Sequence, residues 1–127
     1  MTTVREIKQV LIIRRDIKKF NISVGKLLVQ VAHGAVEGYR NVIRIDRKVA
    51  EEWILQGQKK IVLHVDDEAA LLRLYRKAIS LNIPCALIRD AGLTELPPGT
   101  LTVLVLGPWF SDSINKVSGS LPLLKKW

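Results

Sequence analysis

Apolar positions fall along this chain in two rhythms. From Ile7 to Ile13 they culminate in Val10-Leu11-Ile12-Ile13, and the run stops at Arg14-Arg15-Asp16. A continuous β-branched run bounded by charge predicts a strand buried on both faces. Lys60 to Val65 (KIVLHV), Cys85 to Ile88 and Leu101 to Leu106 carry similar signatures and are read as three more strands. Between them the period lengthens. Phe20-Asn21-Ile22-Ser23 reads as a turn, and Ser23 as the N-cap of a helix from Val24 to about Arg40. Leu27, Leu28, Val31, Ala32, Ala35, Val36 and Tyr39 form its expected inner stripe. Lys26, Gln30, His33, Glu37 and Arg40 fall in an arc of about 80° opposite. Asp46 is expected to cap a second helix bearing Val49, Ala50, Trp53 and Ile54, closed by Gly57. Asp66 and Asp67 open a third, with Leu71, Leu74, Tyr75 and Ala78 inside and Asn82 and Pro84 at its end. Ser111 or Asp112 is expected to cap a short last helix.

The order β-α-α-β-α-β-β-α makes helical crossovers between parallel strands, with the loop Asp90 to Gly99 allowing an antiparallel return. The expected fold is α/β: a three-layer α/β/α sandwich around a mixed, mostly parallel four-stranded sheet. No repeat or linker divides residues 1–127, so one domain is expected.

Charge adds the first functional clue. Twenty Lys and Arg against twelve Asp and Glu give a formal +8, which favours polyanionic partners such as nucleic acid. The start, MTTVREIKQ, has no signal-like apolar stretch, and no run approaches the ~20 apolar residues of a membrane helix. A cytoplasmic protein without membrane attachment is expected. The single cysteine, Cys85, cannot form an internal disulfide, and its apolar setting PCALI reads as a structural thiol rather than a nucleophile. There is no Gly-rich phosphate loop, no G-x-S-x-G elbow and no Cys/His cluster, so no cofactor and no metal is expected.

Two segments stand out. One is Gly25-Lys26 with Gln30 and His33 following at helical spacing; by itself such a stripe is an ordinary solvated helix face. The other is Arg89-Asp90-Ala91-Gly92-Leu93-Thr94-Glu95-Leu96-Pro97-Pro98-Gly99-Thr100, which locally reads as a well-made hairpin connection. It follows the carboxyl end of a strand, where open α/β sheets form binding crevices.

The strand KQVLIIRRD, the helix GKLLVQVAHGAV, the segment GQKKIVLHV and the stretch PCALIRDAGLTELPPGTLTVLVLGP occur in this order from about Lys8 to Leu121. Together they resemble the type II peptidyl-tRNA hydrolases of archaea and eukaryotes. The resemblance implies an enzyme that hydrolyses the ester of peptidyl-tRNA, releasing free tRNA and peptide. It implies catalytic roles for Lys26, Asp90, Thr94 and Thr100. Gln30 and His33 become supporting groups, with a catalytic part for His33 open because histidine titrates nearest neutral pH. The basic residues Arg14, Arg15, Lys18, Lys19, Arg40, Arg44 and Arg47 are candidate tRNA phosphate contacts. Peptidyl-tRNA is the expected partner, and a homodimer stays open beside a monomer. Leu28-Val29 and Gly34 stand where the family usually has small residues and alanine. The competing reading is a non-catalytic RNA-binding or protein-interaction α/β domain. With aromatics at only 6%, the chain lacks an obvious base-stacking platform, which favours the enzyme.

Overall fold

A computed structural model describes residues 4–92 and 95–127 of the chain. Its elements are β1 (Ile7–Arg14), α1 (Val24–Ile45), α2 (Arg47–Leu55), β2 (Lys60–Val65), α3 (Glu68–Ser80), β3 (Cys85–Arg89), β4 (Leu101–Phe110) and α4 (Ser111–Ser118). A 3-10 turn over Arg15–Phe20 follows β1 and ends at Asn21 in the left-handed conformation. The Ser23, Asp46 and Asp67 side chains cap α1, α2 and α3, accepting from the N–H of Lys26, Val49 and Ala70. The last helix departs from expectation: Phe110 precedes it without a side-chain cap, and Ser111 Oγ donates instead to Glu6 at 2.7 Å.

The sheet order is β2-β1-β4-β3. β1 pairs with β2 in parallel, while β4 runs antiparallel to both β1 and β3. Three strands therefore share one direction, yet only one neighbouring pair is parallel, because β4 sits between β1 and β3. The carboxyl ends of β1 and β3 meet the amino end of β4 along one edge.

Alternation along the strands sorts the core into two faces. Val10, Ile12, Leu104 and Leu106 pack under Leu71 and Ala78 of α3 and Ile114 and Val117 of α4. Leu11, Ile13, Val103 and Val105 face Leu27, Val31 and Ala35 of α1. Helix α2 extends that second layer, burying Val49, Ala50 and Trp53 against Ile7 and Val42. The three layers are as the sequence implied. The free edge of β2 is covered by the C-terminal segment, with Leu124 N–H on Val62 O at 3.0 Å and His64 N–H on Pro122 O at 3.3 Å.

Helix α1 sits rotated from the stripe its apolar residues suggest. Its buried positions are Leu27, Gln30, Gly34, Gly38 and Val42, whereas Leu28, Val29 and Val36 are exposed. The cause is close approach to the sheet. A Cβ at Gly38 would lie 2.6 Å from the Gly107 carbonyl oxygen, Gln9 Nε2 and Val105. At Gly34 it would meet only side-chain carbons, of Leu11, Val103 and Ile88, at 3.1–3.6 Å. Gly38→Ala is therefore expected to cost ~1–3 kcal/mol through overpacking against backbone that cannot yield. At Gly34→Ala the tighter packing offsets the helical gain of alanine, so the net change should stay within ~1 kcal/mol. Denaturant unfolding of the two variants reads the contrast, and equal stabilities would refute it.

Candidate active site

The sheet edge brings together two segments far apart in sequence. Lys26 lies in the first turn of α1, and Asp90 immediately follows β3. Lys26 Nζ is 2.6 Å from Asp90 Oδ1, and their side chains are 11% and 4% exposed. The pair is thus nearly dry, but the lysine retains a path to solvent.

Local structure on both sides fixes this meeting. Ser23 Oγ accepts the Lys26 N–H at 3.1 Å and donates to Glu95 Oε2 at 2.8 Å, while Ser23 N–H donates to Glu95 Oε1 at 2.6 Å. Glu95 thereby ties the start of α1 to the loop after β3, and places a carboxylate at the positive end of the helix. On the other side, Asp90 N–H bonds Thr100 O and Gly99 N–H bonds Asp90 O, both at 2.8 Å. Arg89 donates to the Gly99 carbonyl at 3.1 Å. Gly92 adopts φ +76° against Pro98, where a Cβ has no room, and its N–H donates to Asp90 Oδ2 at 2.6 Å.

Beneath the pair lies a buried polar relay. Gln30 Nε2 donates to Asp90 Oδ1 at 3.2 Å, and Thr102 Oγ donates to Gln30 Oε1 at 2.8 Å. The amide orientation follows from chemistry: an ionised carboxylate only accepts, so the nitrogen must face Asp90 and the oxygen Thr102. A carboxylate has about four acceptor positions. Lys26, Gln30 and Gly92 occupy three, leaving one acceptor position unused. The ammonium has further donors to offer an oxyanion or a leaving oxygen.

Burial by itself would raise the Asp90 pKa. The hydrogen bond from Lys26, the Gly92 N–H and the lysine charge outweigh that and hold it below the usual carboxylate range. Asp90 is therefore ionised throughout the neutral range, which suits orienting a water better than abstracting its proton. The consequence for stability has a definite sign. A depressed folded pKa stabilises the protein above the unfolded value, about 3.9, and that contribution is lost as pH falls through the folded pKa. Wild type should lose this contribution only below about pH 4, and Asp90→Asn should show a shallower acid limb. Urea unfolding across pH 2–7 measures it; parallel curves for the two proteins would contradict the assignment.

The other sequence candidates lie elsewhere. His33 is exposed, two turns along α1, and makes no side-chain hydrogen bond among the described residues. Thr100 directs its hydroxyl to Pro97 O at 2.7 Å and reaches Asp90 only through its backbone. Thr94 lies outside the described residues. Cys85 is half-buried, and burial pushes its thiol up to about 11, consistent with an unreactive structural group. Arg14 is 6% exposed and engages both Asp16 oxygens, Glu68 and the Leu101 carbonyl, leaving little for a phosphate. Arg15 and Lys18 each donate to a C-terminal carbonyl, on Lys126 and Trp127. Lys19, Arg40, Arg44 and Arg47 are exposed. Sequence reasoning missed Thr102 and Glu95. A threonine within the apolar strand LTVLVL was the available signal for the first, since a buried hydroxyl requires a partner.

Comparison with known proteins identifies the family. The family model for "Peptidyl-tRNA hydrolase PTH2" matches residues 7–124. A peptidyl-tRNA hydrolase of Thermococcus onnurineus is 47% identical over 117 residues, covering 92% of this chain and 97% of that protein. One from Staphylothermus marinus is 48% identical over 119 residues, 94% of this chain and 96% of its own. One from Methanocaldococcus jannaschii is 40% identical over 117 residues, 92% and 99% respectively.

Proposed function

From the premise that this chain belongs to the peptidyl-tRNA hydrolase PTH2 family, we propose that Lys26 and Asp90 form the centre that performs its reaction. The enzyme is a hydrolase that cleaves the ester between a peptide and the terminal ribose of tRNA. The observation carrying the site assignment is the nearly dry Lys26–Asp90 contact at 2.6 Å, held from below by Gln30.

Asp90 accepts a hydrogen bond from the attacking water and aims it at the ester carbonyl. Lys26, through its donors not engaged by Asp90, stabilises the oxyanion and then the departing ribose oxygen, which takes up the proton that the attacking water gives up as the ester C–O bond breaks. Gln30 and Thr102 act through Asp90 as positioning residues. Thr100 supports Asp90 through its backbone, and Thr94 enters on the family resemblance alone. His33 has no part in the chemistry; it lies on the exposed stripe of α1 that continues to Arg40 and Arg44. With Arg15, Lys18, Lys19 and Arg47, those arginines form the proposed tRNA backbone contacts, from which the engaged Arg14 is dropped. No helix among the described residues is long and apolar enough to cross a membrane, and we place the enzyme in the cytoplasm with the translation machinery. The exposed Leu28, Val29 and Val36 on α1 support a homodimer, which sedimentation equilibrium would detect.

Release of N-acetylaminoacyl groups from tRNA by the purified chain tests the function; no release would reject it. Because phosphates dominate the contacts, binding to uncharged tRNA should weaken at least about tenfold between 50 and 200 mM salt. A flat titration series would remove the basic surface from the account.

A further inference from the structure

Behind the loop that holds Asp90 lies a cleft of about 270 Å³, lined by Lys19, Phe20, Arg89, Glu68 and the loop residues Pro98 and Thr100. Its outer wall is the segment whose backbone bonds Asp90 directly, through Thr100 O and Gly99 N–H. The cleft and the candidate site therefore share one loop, although the Lys26 and Asp90 side chains do not line the cleft.

Its chemistry is not that of a structural gap. The Lys19 side chain is 60% exposed, and its nearest carboxylate, on Asp16, is 4.0 Å away. The same ammonium stands 5.3 Å from the centroid of the half-buried Phe20 ring. Arg89 gives a guanidinium N–H to Gly99 O and is otherwise exposed, so further donors remain. Arg14, on the floor, is neutralised by Asp16 and Glu68. The Glu68 carboxylate is 48% exposed and accepts from Arg14 at 3.2 Å, leaving acceptor capacity towards the cleft.

An aromatic face beside two available cations is the combination that binds single-stranded nucleic acid, through base stacking and phosphate contact. An acceptor carboxylate on the rim adds a partner for the exocyclic amine of cytosine or adenine. It also disfavours a bare, highly charged anion. Resting on tRNA as substrate, we infer that this cleft binds an unpaired nucleotide of the tRNA 3′ end, next to the esterified ribose. The exposed Lys19 side chain, which stands over the Phe20 ring, swings aside as a base stacks there; the phosphate then lies between Lys19 and Arg89, and Glu68 accepts from the base amine. The contact anchors the end of the RNA so that the ester reaches Lys26 and Asp90.

The probe is the unacylated trinucleotide CpCpA, titrated calorimetrically into the intact chain at low salt. Wild type is compared with Lys19→Gln, Phe20→Leu and a charge-matched control, Lys116→Gln, on exposed α4 surface. Thermal melts check folding; Lys19 is exposed, so Lys19→Gln remains decisive even if the half-buried Phe20→Leu variant fails to fold. Wild type should bind, Phe20→Leu should weaken binding about fivefold or more, and Lys19→Gln should do likewise while Lys116→Gln does not. Absent binding by wild type, unchanged affinity in the folded variants, or equal losses in the control would each overturn the proposal. Failure of the family reading looks different: no cleavage of N-acetylaminoacyl-tRNA, whatever CpCpA does.

Discussion

Asp90→Asn is expected to lower kcat by about 10²-fold with little change in KM for tRNA substrates, the scale of a reacting group that loses its orientation. The substitution is nearly isosteric, and a neutral amide holds a water far less firmly than a carboxylate does. It also breaks the pattern of partners. Lys26, Gln30 and Gly92 all present hydrogen-bond donors to this side chain, and an amide can satisfy such donors only through its single oxygen. Its NH₂ group would face a donor on one side. The loss should therefore appear in the chemical step. In the proposed complex the basic surface, not Asp90, holds the tRNA body, so KM should change less than about threefold. Single-turnover cleavage at saturating enzyme separates the two effects, and a wild-type rate in the folded variant would take Asp90 out of the mechanism.

Thr102→Val should act at a distance. Thr102 is fully buried and donates to Gln30 Oε1, which lies within the layer between α1 and β4. Valine has the same shape but no hydroxyl, so a buried amide oxygen loses its donor at a cost of ~1–3 kcal/mol. Gln30 is then free to turn, and Asp90 loses the donor that fixes its plane. We expect kcat to fall about tenfold or more with KM unchanged, together with the loss of stability. Thr102→Ser should recover most of both. A purely structural role predicts lowered stability but a normal kcat at temperatures where the variant is folded, and that outcome would confine Thr102 to the core.

Much of this molecule was legible because its strands are continuous apolar runs and its helices carry side-chain caps. Ser23 and Asp46 cap the helices the sequence assigned to them, and Asp67, read only as one of two acids opening α3, caps that helix. The orientation of α1 was not legible. The helix carries apolar side chains over more than half its circumference, so periodicity alone could not choose which stripe faces the sheet. Its contact face is set by Gly34 and Gly38, which permit close approach, and by Gln30, whose burial is tolerated only because Asp90 and Thr102 satisfy its amide. A stripe that reads as solvent-facing thus divides: Lys26 and Gln30 turn inward to the candidate site, while His33 and Arg40 stay outside. The 3-10 turn over Arg15–Phe20 was also invisible, since its residues have no periodic signature, yet it forms one side of the cleft beside the site. Glu95 could not be found by local rules, because it serves the helix start at Ser23 from 72 residues away.

The central claim is that Lys26 and Asp90 operate as one unit, and a double-mutant cycle tests it most directly. Single-turnover cleavage would be measured for wild type, Lys26→Met, Asp90→Asn and the double variant, with unfolding free energies for all four. A unit predicts that the double variant is hardly slower than the worse single variant, because the second change removes something already disabled. It also predicts partial recovery of stability. Lys26→Met strands a buried carboxylate at a cost of ~3–5 kcal/mol, and the added Asp90→Asn relieves that charge. Losses in rate that multiply and losses in stability that add would show two independent residues, and would contradict the account.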